Sequence, residues 1–294
     1  MAEGTIIKAL SGYYYVKTGD RQIQCRARGI FRKRGVTPLV GDHVVYEAEN
    51  PSDGYIMSIR PRKNFLSRPP IANIDQALLV FSVSEPEFDS QLLDRFLIIM
   101  EASRIHSVIC LTKEDLLSED QESLLKKQLS VYRHAGYPVI VTSSKAHTGI
   151  DELRQILDGK VTVVTGQSGV GKSSLLNQIN TTLNIETQSI SHALGRGKHT
   201  TRHVALLQIG RSGFVADTPG FSSLDVTQID ASELAGCFPE FSPFSPSCRF
   251  RTCTHIAEPD CAVKHAVETG DIDPKRYDHY CFFYHEIKNK RKLY

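Results

Sequence analysis

The stretch GQSGVGKSS comprises Gly166, Gln167, Ser168, Gly169, Val170, Gly171, Lys172, Ser173 and Ser174. It follows the apolar run KVTVVT and opens the helical pattern SSLLNQIN. Strand, glycine-rich turn and helix in that order make a phosphate-binding loop, because glycines let backbone N–H groups turn inward onto phosphate oxygens. In such a loop Lys172 is placed to reach a β- and a γ-phosphate, Ser173 is placed to ligate Mg2+, and the helix N-terminus adds partial positive charge. A glycine turn without a function would not need the strand before it and the helix after it.

The base is addressed elsewhere. VICLTKED, 108–115, is an apolar strand running into Thr112, Lys113, Glu114 and Asp115. Asp115 can accept from the ring N–H and the exocyclic amine of guanine together. Adenine offers no such donor pair and would leave a buried carboxylate unpaired. Lys113 is expected to lie along the base and brace the phosphate loop. Thr112 stands where Asn is commoner, with a hydroxyl in place of an amide. TSSK, 142–145, follows the next strand, and Ser143 and Ser144 are expected to bring a backbone N–H to the guanine carbonyl.

VADTPGF, 215–221, reads as an Asp-x-x-Gly element, with Asp217 directed to Mg2+ through water and the Gly220 N–H to the γ-phosphate. LGRGKHTTRHV, 194–204, occupies the place of a first switch, where Thr201, in preference to Thr200, is the second Mg2+ ligand. Phe221 stands where many GTPases carry a glutamine that orients the attacking water. An apolar side chain cannot do this, so slow intrinsic hydrolysis is expected. His199, in the first switch, is the candidate water-orienting group beside Lys172, since a neutral imidazole can accept from water. The bland alternative is that His199 is a solvent-exposed loop residue.

GTPases usually run phosphate loop, first switch, Asp-x-x-Gly, Lys-x-Asp, Ser-Ala-Lys. Here the last two come first. The chain therefore reads as the same ring of elements cut between the third and the fourth, a circular permutation of the kind that domains with neighbouring termini tolerate.

CRFRTCTHIAEPDC, 248–261, places Cys248, Cys253, His255 and Cys261 within fourteen residues. Three thiolates and one imidazole suit a closed, tetrahedral, structural zinc site. Disulfides are the rival reading, disfavoured in a reducing compartment. The other cysteines, Cys25, Cys110, Cys237 and Cys281, are scattered and read as structural.

These residues need elements to position them. The 294 residues, 40% hydrophobic and 23% charged, are enough for two or three domains. Five short strands separated by turn residues (GTIIKALSG, GYYYVKTG, RQIQCRARGIF, GDHVVYEAEN and GYIMSIRPR) fit a small closed barrel such as an OB-fold, with an SH3-like barrel as the alternative. RPPIAN, 68–73, reads as a linker. From Ile74 apolar strands alternate with helical stretches, as in a parallel sheet flanked by helices, and Leu92, Leu93, Phe96, Leu97 and Met100 recur at helical spacing. AVKHAVETG and KRYDHYCFFYHEIKNK read as helices beside the zinc cluster.

Residues 1–68 carry twelve Lys and Arg against six acids, so the overall charge of +2 conceals a basic N-terminal unit of +6. The tail KNKRKLY is basic as well, and basic ends suggest a polyanionic partner. No membrane span or secretion signal is evident, and a cytoplasmic protein is expected. Within the barrel, Arg32, Lys33 and Arg34 read as an exposed RNA-facing loop.

The combination of a basic barrel, a permuted core with GQSGVGKSS and DTPGFSS, and the C-x4-C-x-H-x5-C cluster resembles the RsgA (YloQ, YjeQ) family of small-subunit ribosome biogenesis GTPases across essentially the whole chain. The resemblance implies an OB-fold over 1–68, a circularly permuted α/β P-loop GTPase domain over 69–225 and a mostly helical zinc-binding domain over 226–294. It implies GTP/GDP, Mg2+ and one structural Zn2+ as cofactors, and a monomer acting on the small (30S) ribosomal subunit and its rRNA with subunit-stimulated hydrolysis. The alternatives are another permuted GTPase of ribosome assembly, or a GTP-gated RNA-binding factor in which hydrolysis is incidental.

Overall fold

A computed structural model describes residues 1–67, 69–179, 204–210, 212–217 and 225–291. The first five strands are β1 (Ala2–Leu10), β2 (Tyr13–Thr18), β3 (Arg21–Ala27), β4 (His43–Asn50) and β5 (Asp53–Ile59). They pair in the circuit β1–β2–β3–β5–β4 and close with β4 on β1, which is the OB-fold arrangement. Inward-facing Ile6, Val16, Cys25, Val44 and Ile56 fill the barrel. The short helix α1 (Gly29–Lys33) is anchored by buried Phe31, so Arg32 and Lys33, expected in a loop, sit on a helical turn.

The expected linker is folded. β6 (Phe65–Ser67) and β7 (Pro70–Ala72) form a hairpin whose Ile71 is fully buried. Ala72 N–H donates to the Val40 carbonyl at 2.9 Å. Beside it, Arg62 grips the buried Asp42 carboxylate through Nε at 2.7 Å and a terminal nitrogen at 2.8 Å. Ile71, set by the two prolines before it, bridges to Val40 and is buried against the barrel.

The second sheet region contains β8 (Gln76–Ser82), β9 (His106–Thr112), β10 (Val139–Val141), β11 (Val161–Thr165), β12 (Val204–Ile209) and β13 (Gly213–Asp217), in the order β10–β9–β8–β11–β13–β12. All these pairings are parallel except that of β12 with β13. All seven residues of β8 are buried, as a central parallel strand requires. Helix α2 (Ser90–Ala102) starts where Asp89 Oδ1 accepts the N–H groups of Gln91 and Leu92. Its Leu93, Phe96, Leu97 and Met100 are buried. Helix α3 (Glu119–His134) opens on a Ser118/Gln121 capping box, and α4 (Ile150–Leu157) and α5 (Lys172–Ile179) cover the sheet.

β12 is absent from the sequence reading, which ended the first switch at residue 204. It also pairs antiparallel with β1, Lys8 opposite Ala205 and Ala9 opposite Val204, so barrel and core share one eleven-stranded sheet. Lys17 of β2 adds a hydrogen bond from Nζ to Gln208 Oε1 at 2.6 Å.

The C-terminal unit has helical turns from Val226, then α6 (Ala262–Thr269) and α7 (Pro274–Arg291). It docks on α2 through a buried ionic cluster. The Arg276 guanidinium bonds Asp94 Oδ1 at 2.5 Å and Glu240 at 2.7 and 3.0 Å, and the second Asp94 oxygen meets His279 Nδ1 at 2.5 Å. Ile98, on the far face of α2, joins the C-terminal hydrophobic cluster, and Arg95 pairs with Glu286 at 2.6 Å. Among the described residues no helix is long and apolar enough to cross a membrane.

Removing one member of a buried ion pair strands the other without compensation, at roughly 3–5 kcal/mol. Asp94→Ala is therefore expected to loosen the C-terminal unit, and limited proteolysis should release a fragment beginning near residue 225 while the core resists. Wild-type resistance in this variant would show that the apolar contact alone holds the unit.

Candidate nucleotide and metal sites

Parallel pairing puts the carboxyl ends of β8, β9, β10, β11 and β13 along one edge of the sheet, the edge where ligands bind in open α/β folds. Thr112, Val141, Thr165 and Asp217 end their strands there. The Lys-x-Asp element, TSSK, the phosphate loop and the start of the Asp-x-x-Gly element thus converge although they are scattered in sequence. Because β12 runs antiparallel, with Ala205 opposite Asp217, its N-terminal end also lies at this edge.

In the phosphate loop Gly166 has φ 144°, and a Cβ there would lie 1.9 Å from the Val80 carbonyl oxygen of β8, so no other residue fits. Gly169 and Gly171 also take positive φ. Val170 is fully buried, and Ser173 is buried at the start of α5. The Lys172 ammonium bonds the Gly166 carbonyl at 2.9 Å and that of Gln167 at 2.5 Å, lying over the loop, and burial lowers its pKa. Gln167 and Ser174 are half-buried, and Ser168 and Gly169 are exposed at the tip.

Thr112 has a larger part than its replacement of Asn suggested. Its hydroxyl lies 2.5 Å from the Val170 carbonyl and 3.2 Å from that of Phe81, tying the base-reading element to the phosphate loop. Lys113, expected to lie along the base and brace the phosphate loop, has a left-handed backbone, φ 63°, and in this structure directs its ammonium to the Glu85 carbonyl in the loop after β8. The short Thr112 hydroxyl fits the gap between β8 and the phosphate loop.

Asp115 is exposed, and its Oδ1 accepts from Ser143 Oγ at 2.5 Å. Ser143 Oγ also receives the Lys145 and Ala146 N–H groups at 3.2 and 3.0 Å. Glu114 accepts from the Thr148 hydroxyl at 2.9 Å, a contact that shapes the 142–148 loop. The Ser144 carbonyl accepts from Gln178 of α5. His199, Thr201 and Gly220 lie outside the described residues, as does the side chain of Asp217.

The metal cluster is assembled. The donor atoms of Cys248, Cys253, His255 and Cys261 all lie within 4.8 Å of one another. His255 Nδ1 is 3.6 Å from Cys248 Sγ and 3.4 Å from Cys261 Sγ, and the two sulfurs are 3.9 Å apart. Tetrahedral zinc with bonds of about 2.3 Å to sulfur and 2.0 Å to nitrogen gives edges of roughly 3.5–3.8 Å, so the set fits zinc. His255 Nε2 is 3.5 Å from Ser245 Oγ, which itself donates to the Phe241 carbonyl at 2.9 Å. That arrangement puts the proton on Nε2 and leaves the Nδ1 lone pair for metal. Burial, with the neighbouring Cys261 and Cys248, pushes the Cys253 thiol up to about 12, a cost that a bound cation removes by holding the thiolate.

The loop carrying these ligands is held from outside. Tyr277 and Tyr280 of α7 donate their hydroxyls to the carbonyls of His255 and Thr254, at 2.6 and 2.5 Å. Glu258, which the sequence reading passed over, accepts from Thr254 N–H and hydroxyl and from the N–H groups of Ile256 and Ala257. Burial raises its pKa, but these bonds outweigh burial and bring it to about 2.

Residues 59–227 match the RsgA GTPase family, and residues 3–56 match the RsgA N-terminal domain. The chain belongs to the RsgA GTPase family. A Shouchella clausii protein named small ribosomal subunit biogenesis GTPase RsgA is 54% identical over 100% of both chains. A protein of the same name from Halalkalibacterium halodurans is 54% identical over 99% of each. Among solved structures, YloQ, described as a circularly permuted GTPase, superposes with TM-score 0.85 at 49% identity, covering 99% of this chain and 96% of that one. YjeQ from Thermotoga maritima gives 0.85 at 36% identity, covering 97% and 98%. The permuted order read from the motifs is thus that of the RsgA fold.

RsgA chains purified without chelator should then carry one zinc per molecule by elemental analysis. Cys253→Ser is expected to lose the metal and unfold the C-terminal unit while nucleotide binding persists. Zinc-free wild-type protein with a cooperative C-terminal transition would refute the assignment.

Proposed function

We propose that this GTPase acts in maturation of the small (30S) ribosomal subunit, binding its rRNA and hydrolysing GTP slowly until the subunit stimulates it. The observation that carries the reading is the convergence of the base-reading, phosphate-binding and Asp-x-x-Gly segments on one sheet edge, joined through β12 to the barrel, whose excess charge is positive. The basic residues favour a polyanion, and the names of the full-length relatives point to the small subunit. Action in the cytoplasm as a monomer accords with this reading.

In this account Asp115 accepts the two guanine donors, oriented by Ser143. The N–H groups of residues 166–171 and the Lys172 ammonium hold the phosphates. Ser173, with Asp217 and Thr201, would hold Mg2+, which neutralises phosphate charge when bound. His199 orients the water in place of the missing glutamine. Asp115→Asn is expected to exchange guanine for xanthine preference, because the new amide donates where the carboxylate accepted. Unchanged guanine selectivity would place base recognition elsewhere.

The exit of the second switch is tied to the C-terminal helix. Lys290 Nζ of α7 reaches Asp225 at 2.7 Å and the Thr227 hydroxyl at 2.6 Å. A displacement of 218–224 on γ-phosphate loss would therefore pull on α7 directly.

Turnover measured with each purified ribosomal subunit tests the whole reading. Stimulation by the small subunit alone, weakening steeply with salt, is the expected result. His199→Ala should abolish stimulation while sparing GTP affinity and subunit binding. Equal rates with and without subunits would leave hydrolysis incidental to RNA binding, and full stimulation of His199→Ala would move the water-orienting role to His203 or to the ribosome.

A further inference from the structure

Within the 143–146 loop most backbone donors are committed. Ser143 N–H donates to the Thr148 hydroxyl at 3.1 Å, and the Lys145 and Ala146 N–H groups both end on Ser143 Oγ. The Ser144 N–H is the amide of this loop that makes no such bond among the described residues. Its carbonyl, by contrast, is held: Gln178 Nε2 of α5 donates to it. A flipped Gln178 amide would set oxygen against oxygen there, so the donor assignment follows from the acceptor.

A second strap runs in the opposite direction. Arg154 of α4, the helix that follows this loop, donates to the backbone carbonyls of Gln178 at 2.8 Å and Ile179 at 3.4 Å. The helix that begins at Lys172 is therefore tied once to the loop that carries Ser144 and once to the helix that follows that loop. Holding the Ser144 carbonyl fixes the 144–145 peptide plane and, across the Ser144 Cα, limits rotation of the 143–144 plane that carries the uncommitted N–H.

We propose that Gln178 is a positioning residue for guanine recognition, its amide holding the Ser144 carbonyl so that the Ser144 N–H meets the 6-oxo group of the base. This rests on the base-site reading above. Gln178 touches no nucleotide atom in this role, because it acts through Ser144. It also links base selection to the phosphate-loop helix, independently of the Thr112 bond on the other side of the site.

The test uses the full chain with GTP and with 6-thio-GTP, which keeps both donors that Asp115 accepts and replaces only the carbonyl oxygen with a weakly accepting sulfur. Gln178→Met keeps the length of the side chain without the donor. It is expected to weaken GTP about tenfold, the effect of one lost hydrogen bond. The 6-thio-GTP affinity should be nearly unchanged, so the preference for oxygen over sulfur collapses. Gln178→Glu, of equal size, presents oxygens to the Ser144 carbonyl and should behave alike, which guards against a packing defect peculiar to methionine. Equal weakening of both nucleotides would mean a general structural role, and an unchanged GTP affinity would mean none. Either result overturns the proposal. Asp115→Asn separates the underlying reading: if that variant keeps its guanine preference, the base site and this inference fall together, whereas a switch to xanthine with Gln178→Met unaffected removes this inference alone.

Discussion

Parallel hydrogen bonding among β8, β9, β10, β11 and β13 is the constraint on which the nucleotide site depends. A parallel strand must re-enter the sheet from the same end, so every loop after a strand emerges at one edge. Chain order then has no bearing on which loops meet. The cut between the Asp-x-x-Gly and Lys-x-Asp elements changes where the chain begins and ends in this unit and leaves the edge itself unaltered. Close contacts tune that edge: Gly166 lies against the Val80 carbonyl, and the Thr112 hydroxyl sits between Phe81 and Val170.

Permutation gives the units on either side a mechanical relation to the core. The barrel is coupled through the β1–β12 ladder, beyond chain connectivity, and β12 is the strand into which the first-switch stretch runs. The C-terminal unit is coupled at both ends of α7, by the Arg276 cluster on α2 and by Lys290 on the residues that leave the second switch. One end contacts a helix of the core, and the other contacts Asp225 and Thr227, which follow the Asp-x-x-Gly stretch in the chain. Nucleotide-dependent movement would thus reach both flanking units through backbone and ionic contacts already in place.

The loop of Cys248, Cys253, His255 and Cys261, a set that fits zinc, shows how a small unit obtains order with little apolar surface. Four candidate ligands lie within fourteen residues, and the donors face one another where Glu258 gathers the turn and two tyrosines of α7 hold its carbonyls. His255 adopts a left-handed backbone, φ 56°, which it sustains inside this network.

The motifs, their permuted order, the five barrel strands, the α2 stripe and the Cys/His ligand set were legible in the residues, since each depends on local spacing: glycines for a tight loop, period-2 or helical alternation, and thiolates with imidazole for a soft cation. Other features were decided only in three dimensions. The Thr112 bond to Val170 depends on the gap between β9 and the phosphate loop. The strand β12 depends on two partners, one of them some two hundred residues earlier in the chain. The burial of Ile71, the grip of Gln178 on Ser144 and the Asp94–Arg276–Glu240 cluster join residues far apart in sequence, and no local pattern encodes such a pairing. A hydrogen bond or ion pair needs its second atom, and only the folded chain supplies it.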